Sequence, residues 1–229
     1  MIAPITAISS MATRAVLTEL AGAYEQRTGR PVSVQAMGGV HAAQRIRAGE
    51  VTDVVVLASN VMQQLEAEGH MVRKSTTPFA KSGIAMAVRS GGARPARMDE
   101  TSVKQAMLAA SKVGYSTGPS GQHLEQLWAR WGVAEAMSER AVQAPPGMPV
   151  AALLTQGKVE IGFQQMSELL DVPGIDVVGL LPPSIQLLTI FSAGVCALSS
   201  RKEEANALLD YLNSPETEDS KRKYGLEPA

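Results

Sequence analysis

The sequence predicts an α/β protein with mostly parallel sheets, and three features indicate this fold class. Short apolar segments alternate with amphipathic stretches that end at glycine, which is the pattern of alternating strands and helices. Residues 53–57 read Asp-Val-Val-Val-Leu, and a continuous β-branched run is typical of a strand buried on both faces. The length of 229 residues accommodates two lobes of about 100 residues each.

The first third of the chain is predicted to form a β-α-β-α-β-α block. Strands are expected at residues 2–8, 32–36 and 53–57. Each strand is followed by small or hydroxyl residues that suit the start of a helix, namely Ser9-Ser10, Gly38-Gly39 and Ser59-Asn60. The helices are expected to end at Gly29, Gly49 and Gly69, where a left-handed cap favours glycine.

The rest of the chain continues the alternation. Strands are predicted at residues 84–88, 113–116, 159–163 and 175–181, and the apolar run 188–198 is predicted as one extended strand. The turn 117–121 and the proline-rich segment 145–149 each precede a predicted helix. Helices over 202–213 and 215–224 are expected to close the chain.

The strand-to-helix junctions are candidate anion sites. The first turn of a helix has unpaired backbone N–H groups and a partial positive charge. An anion can be held there without lysine or arginine, and glycine lets it approach the backbone. Ordinary helix capping explains any one junction, but the recurrence of small and hydroxyl residues at several junctions favours a binding site.

Composition and motifs exclude several other functions. A net charge of −1 and 4% aromatic residues argue against a nucleic-acid partner. The sequence has neither a P-loop nor a dinucleotide fingerprint after the first strand, and no Gly-x-Ser-x-Gly hydrolase motif. Three dispersed histidines and the single Cys196 predict neither a metal site nor a disulfide, and no cofactor is expected. Cys196 is expected to be a buried apolar residue.

Several segments, taken in order, resemble the molybdate-type substrate-binding proteins of ABC importers. They are the serine loop 8–12 with the helix end 23–29, Gln-Arg-Ile-Arg-Ala-Gly at 44–49 with the strand at 53–56, and the tail segments 209–216 and 223–228. The resemblance implies the type II periplasmic-binding-protein fold, with a mostly parallel sheet flanked by helices in each lobe and a ligand cleft between the lobes. It implies one lobe of residues 1–80 plus 187–229 and a second of 81–186, joined by crossing strands near 79–84 and 184–190.

The resemblance also implies a set of ligand-binding residues. Those carried over from the family are Ser9, Ser10, Gly38, Gly39, Ser120, Gly121, Pro149 and Gln165. Two departures bear on the ligand. The second loop reads Met-Gly-Gly-Val-His and lacks the family's serine, and Gln165 stands where the family has a tyrosine. Because these changes remove hydroxyls while His41 and His123 are present, they favour a larger organic acid over molybdate.

Three functions follow as hypotheses. The first is a binding protein for a small oxyanion or carboxylate, working with the membrane subunits of an ABC importer. The second is an enzyme of the family's aconitate-isomerase-like branch, in which His41 or His123 moves a proton within an unsaturated tricarboxylate. The third is a true molybdate- or tungstate-binding protein. The chain begins without a recognisable leader, which predicts a cytoplasmic protein, or a periplasmic one if a leader has been removed.

Overall fold

The computed structural model describes residues 3–145 and 147–229. These residues form two compact units. Unit 1 contains the chain up to Ser82 together with Thr189–Ala229, and unit 2 is Gly83–Leu188. The family resemblance implied boundaries after residues 80 and 186. Residue 2 of the first predicted strand and Pro146 of the proline-rich segment lie outside the described residues.

Strands and helices alternate along most of the described chain. The strands are β1 (Ile5–Ser10), β2 (Val32–Met37), β3 (Val54–Ala58), β4 (Thr77–Arg89), β5 (Val113–Tyr115), β6 (Ala141–Gln143), β7 (Ile161–Gln165), β8 (Ile175–Leu180), β9 (Leu188–Val195) and β10 (Glu227–Pro228). The helices are α1 (Arg14–Thr28), α2 (Gly39–Arg47), α3 (Ser59–Ala67), α4 (Glu100–Ala109), α5 (Pro119–Arg130), α6 (Ala134–Ser138), α7 (Val150–Thr155), α8 (Met166–Leu169), α9 (Lys202–Leu212) and α10 (Glu218–Lys223).

Unit 1 is built on the parallel strands β2, β1 and β3, in that order, with β9 antiparallel beside β3. All five residues of β3 are buried, which confirms the prediction from its Val-Val-Val-Leu sequence. Val54 and Val56 pack on one side in a core that includes residues of α1 and α9. Val55 and Leu57 pack on the other side with residues of α2 and α3. The alternation follows from the two-residue period of a strand.

Asp53 holds the start of β3 in place. Its carboxylate accepts hydrogen bonds from the Thr6 backbone N–H at 2.8 Å and from Ser199 at 2.7 Å, and it pairs with Arg201 at 2.6 Å. Burial by itself would raise the pKa of Asp53, but the hydrogen bonds from Thr6 and Ser199 outweigh it, and the pKa is lowered. The ionised carboxylate therefore links β1 and β3 to the segment before α9.

Unit 2 has the parallel strands β6, β5 and β7, with β4 antiparallel to β7 and β8 antiparallel to β4. Its sheet carries small residues on the side that faces α7. A Cβ on Gly162 would lie 2.6 Å from the Val150 side chain, and one on Gly114 would lie 3.1 Å from it. These two glycines therefore allow α7 to lie directly on the sheet, which places the start of α7 beside the end of β7.

Some predicted boundaries were wrong. A 3-10 turn, Met11–Thr13, precedes α1, and Ser10 is the cap residue of that turn without a side-chain capping bond. Ser59 was predicted to cap a helix, but it is the first residue of α3 and Ala58 is the cap. The strand predicted at 84–88 is the second half of the longer β4.

Cys196 is buried, as predicted. None of the helices in the described part of the chain has the length and apolarity that a bilayer crossing requires.

Candidate functional site

In unit 1, three neighbouring parallel strands end at the same edge of the sheet, and each is followed by a helical segment. Ser10 is opposite Met37, and Ser9 is opposite both Ala36 and Val56. The residues after these strand ends begin the 3-10 turn, α2 and α3. Ligands of open α/β sheets usually bind at this carboxyl edge. We call the residues Ser10, Gly38, Gly39 and Ser59 the unit 1 edge.

The two predicted serines of the first loop are buried and locally bonded. Ser9 is fully buried, and its hydroxyl donates to the Ser10 carbonyl oxygen at 3.2 Å. Ser10 is 7% exposed, and its hydroxyl lies 3.3 Å from the hydroxyl of Thr13. Of the two, Ser10 keeps the more accessible position at the end of β1.

Gly38 and Gly39 leave the start of α2 open. A Cβ on either residue would meet no atom of the described residues within 4 Å. Gly38 has φ −57°, a value that any residue adopts. Neither packing nor backbone conformation therefore requires glycine here. His41 is exposed in the first turn of α2, beside the N–H groups that no intrahelical acceptor can reach.

Ser192 joins the unit 1 edge through a contact that sequence reasoning missed. Its hydroxyl lies 2.6 Å from the hydroxyl of Ser59. Ser192 lies within β9, opposite Leu57 of β3. Ser59 stood out because it follows a strand, but no local pattern distinguishes a serine in the middle of an antiparallel strand.

In unit 2, the loop between β5 and α5 brings two serines together. The Ser116 and Ser120 hydroxyls are 2.8 Å apart, and Ser120 is only 1% exposed. Gly121 is required by packing, because a Cβ there would lie 1.7 Å from the carbonyl oxygen of Ser116. The predicted pair Ser120 and Gly121 thus forms the first turn of α5, closely packed on the end of β5. Ser116 was missed, although a hydroxyl at a strand end is a usable signal.

His123 is half-buried in α5, and its Nε2 lies 2.8 Å from the Ile185 carbonyl oxygen. A carbonyl oxygen only accepts, so Nε2 carries the proton in this contact. In the neutral ring Nδ1 is then left as an acceptor. The contact orients the imidazole within unit 2.

The start of α7 is held by a side chain of β7. Pro149 is the cap residue of α7, and the Val150 backbone N–H donates to the Gln164 side-chain oxygen at 2.8 Å. The Gln164 amide nitrogen donates in turn to a carboxylate oxygen of Glu168 at 2.7 Å. Burial raises the pKa of Glu168 to about 7, and the Gln164 bond only partly offsets this. Sequence reasoning missed both Gln164 and Glu168.

Gln165 is 2% exposed at the end of β7, opposite Ile84 of β4, and it caps α8. Unit 2 thus places Ser120, Gly121, Pro149 and Gln165 at the ends of β5 and β7 or at the starts of the helices packed on them. In unit 1, two arginines lie near the strand-to-helix junctions, Arg14 at the start of α1 and Arg45 in α2. Arg45 forms a bidentate ion pair with Glu50, and Arg14 is exposed.

Within residues 3–145 and 147–229, no three His, Cys, Asp or Glu side chains are grouped to hold a metal ion.

Parallel sheets with polar residues at their carboxyl edges are typical of α/β proteins that bind small ligands. Residues 5–227 match the model of the bacterial extracellular solute-binding proteins, and the chain belongs to that family. It is 35% identical to an aconitate isomerase of Pseudomonas sp. over 230 residues, covering 98% of this chain and 87% of the relative.

Solved structures share the fold at low sequence identity. The periplasmic molybdate-binding protein of Azotobacter vinelandii superposes with a TM-score of 0.84 at 16% identity, covering 98% of this chain and 99% of that one. The binding protein AgtB from A. tumefaciens R10, in complex with agropinic acid, gives a TM-score of 0.78 at 14% identity, covering 100% of this chain and 83% of that one. The predicted fold class and the resemblance to the molybdate-type proteins are confirmed.

Proposed function

We propose that this protein binds a small organic acid with more than one carboxylate, and that the unit 1 edge is a principal contact for the ligand. The observation that carries the proposal is the convergence of three strand ends and the helical turns after them on one edge of a sheet. Helix N-termini favour negative charge and offer N–H donors.

The glycines of the unit 1 edge support the proposal independently. Gly38 and Gly39 have open space at the Cβ position and no need for a special backbone conformation. A glycine that folding does not require is explained by close approach of a ligand to the backbone. Ser10 and the Ser59–Ser192 pair add hydroxyl donors at the same edge.

A carboxylate ligand fits this edge better than a compact oxyanion. The exposed His41 adds a bulky ring at the start of α2, in a loop where the molybdate-type pattern has a serine. The relative at 35% identity carries the name aconitate isomerase, which suggests a tricarboxylate as the ligand class. We propose that Ser120, Gly121, Pro149 and Gln165 of unit 2 also contribute to affinity.

Ligand titration tests this proposal. Isothermal calorimetry and thermal shift should be run with cis-aconitate, trans-aconitate, citrate, molybdate, tungstate and sulfate. A ligand at about 100 times its Kd adds about 2.7 kcal/mol of stability. We expect saturable binding of a polycarboxylate. Binding of molybdate or tungstate alone would overturn the organic-acid assignment in favour of a metal-oxyanion protein.

Glycine variants separate ligand contact from folding. Gly39→Ala should weaken polycarboxylate binding about tenfold, the equivalent of one lost charge-assisted hydrogen bond, while leaving the unfolding midpoint nearly unchanged. Gly22→Ala is the matched control, because Gly22 also has open space at its Cβ but lies within α1. Equal affinity of both variants and wild type would place the ligand away from the unit 1 edge.

A second candidate function is isomerisation of aconitate, favoured by the 35% identity over nearly the whole chain. A base would remove a proton from the methylene carbon of the substrate. The resulting allylic carbanion would regain a proton at the far carbon, which moves the double bond. His41 and His123 are the candidate bases, His123 through its Nδ1 atom.

Proton NMR in D2O distinguishes the enzyme from the binder. An isomerase interconverts cis- and trans-aconitate with exchange of the methylene protons, and loses this activity in His41→Ala or His123→Ala. His70→Ala is the control, because His70 follows α3 and contacts Glu68. Binding of aconitate without proton exchange or interconversion would show that the protein binds aconitate and does not catalyse its isomerisation.

An importer role would add a partner, the membrane subunits of an ABC transporter. Deleting the gene should then reduce cellular uptake of the polycarboxylate identified by calorimetry. Unchanged uptake would argue against this partner and would leave the binding assignment standing.

A further inference from the structure

Unit 2 contains a cavity at the end of β7 opposite to Gln165. Its volume is about 760 Å³, and its lining includes Ala110, Val159 and Ile161. Ala110 precedes β5 and Ile161 begins β7, so the cavity lies at the amino ends of these parallel strands. The five residues of β7 span about 13 Å, which separates the cavity from Gln165 at the opposite end. Its volume falls within the range of about 300 to 1,000 Å³ typical of small-molecule sites.

The walls of the cavity are largely apolar and made of small side chains. Alanines of α4 and the segment after it form one side, the β7 end forms another, and the loop after β4 forms a third. These apolar lining residues are Ala93, Pro95, Ala96, Ala106, Ala109, Ala110, Val159 and Ile161. Such a surface accepts a hydrocarbon body.

The charged groups of the lining leave one cation available. Arg94 pairs with Asp176 at 2.5 Å. The Glu160 carboxylate accepts from the Ser111 hydroxyl at 2.7 Å and from the Ser111 backbone N–H at 2.9 Å. Arg89 makes no side-chain hydrogen bond or ion pair with any residue in 3–145 or 147–229. Its Nη1 atom lies 3.7 Å from the Cβ position of Gly157, another lining residue.

The loop that walls the cavity is braced by hydrogen bonds to Asp176 and within its own backbone. Asp176 accepts from the Ser90 hydroxyl at 3.0 Å and from the Gly91 backbone N–H at 3.1 Å, besides its ion pair with Arg94. The Gly92 N–H donates to the Arg89 carbonyl oxygen at 2.7 Å, and a Cβ on Gly92 would lie 2.8 Å from that oxygen. The wall is therefore formed before any ligand arrives, which lowers the entropic cost of binding.

We propose that this cavity is a second ligand site, for a small amphipathic monocarboxylate such as a medium-chain fatty acid. Its carboxylate pairs with the Arg89 guanidinium, and its hydrocarbon body covers the alanines and β7 residues of the wall. Glu160 and Asp176 are nearby acids, and they disfavour a second negative charge on the ligand. The site thus selects a different class of acid from the polycarboxylate proposed for the unit 1 edge.

Calorimetry with sodium octanoate tests the site, with octylamine and octanol as comparators. We expect saturable binding of one octanoate per chain and weaker binding of both comparators. Arg89→Gln should lower octanoate affinity about fivefold, the effect of one charge-assisted contact at an exposed position. Arg97→Gln is the control. Arg97 lies in the connection between β4 and α4, its side chain is highly exposed, and it is not part of the cavity lining.

Filling the cavity gives an independent test. Ala109 is exposed on α4 and lines the cavity, so Ala109→Trp should abolish octanoate binding without disturbing a buried position. Ala109→Leu should weaken it and serves if the tryptophan variant folds poorly. Amide shifts on octanoate addition should cluster in residues 89–96 and 105–110, and Gly39→Ala should bind octanoate like wild type.

The proposal fails if octanoate does not saturate, if Arg89→Gln binds it as tightly as wild type, or if the shifts cluster at the unit 1 edge. We expect Gly39→Ala to weaken polycarboxylate binding and to leave octanoate binding unchanged. Failure of the octanoate site is therefore distinguishable from failure of the proposed function.

Discussion

The side-chain oxygen of Gln164 accepts a hydrogen bond from the backbone N–H of Val150 at 2.8 Å, so the penultimate residue of the strand β7 supplies the partner for the first residue of α7. The same side chain donates to Glu168 at 2.7 Å. One glutamine therefore couples the start of α7 to a half-buried carboxyl group, and its two bonds leave both groups satisfied inside unit 2.

Replacing Gln164 by leucine should destabilise the protein by about 2 to 3 kcal/mol, since it strands a buried N–H and a half-buried carboxyl group. Urea denaturation followed by circular dichroism measures the change. Gln122→Leu, at an exposed position of α5, is the control and should cost under about 0.5 kcal/mol. Equal effects of the two substitutions would show that the Gln164 bonds contribute nothing.

Glu168 should make stability fall as pH rises. Its pKa is raised to about 7 in the folded protein from 4.5, so between these values the folded state binds more protons than the unfolded state. Stability is then lost over that window, by up to about 3 kcal/mol. Glu168→Gln keeps an acceptor for Gln164 and removes the titration. We expect the variant to be the more stable protein at pH 8 and close to wild type at pH 4, in urea titrations across the range. A constant difference at all pH values would contradict this.

Lys221 should act in the opposite direction. It is 3% exposed, and its Nζ lies 4.6 Å from the centre of the Phe79 ring. Burial lowers its pKa to about 8 from 10.5, and Glu218 only partly opposes this. Between these values the unfolded state binds more protons, so stability rises with pH. Lys221→Met should stabilise the protein at pH 7 by about 1 to 3 kcal/mol, after allowing for the lost contact with Phe79.

The advantage of Lys221→Met over wild type should shrink as pH rises from 8 toward 10. Lys202→Met is the control, because Lys202 is exposed at the start of α9. A pH-independent gain in Lys221→Met would mean that the burial of charge is not its cause.

Gly121→Ala should destabilise the protein by about 3 kcal/mol, because its Cβ would lie 1.7 Å from the Ser116 carbonyl oxygen and the backbone would have to move. Gly22→Ala makes the same chemical change at an open position in α1 and should stabilise by up to about 1 kcal/mol. Thermal unfolding of both variants gives the comparison. A Gly121→Ala variant as stable as wild type would refute the packing argument.

The local patterns of the chain predicted most of the scaffold. Continuous β-branched residues in β3 predicted a strand buried on both faces, and glycines after amphipathic stretches marked helix ends. The junction residues Ser10, Gly38 and Ser120 were found because small and hydroxyl residues between a strand and a helix have a physical meaning on their own. Boundaries were less accurate where two conformations compete locally, as in the 3-10 turn before α1.

The sequence by itself determined the fold class and the strand-to-helix junctions, because periodicity and helix capping act over a few neighbouring residues. The family was recognised separately, from the resemblance of several ordered segments to the molybdate-type proteins. Only the tertiary structure decided which distant groups meet: Ser59 with Ser192, Val150 with Gln164, and Arg89 with the other walls of the unit 2 cavity. Those contacts depend on strand register and on how closely a helix lies on a sheet. Both are set by packing across the whole unit, so no local pattern reports them.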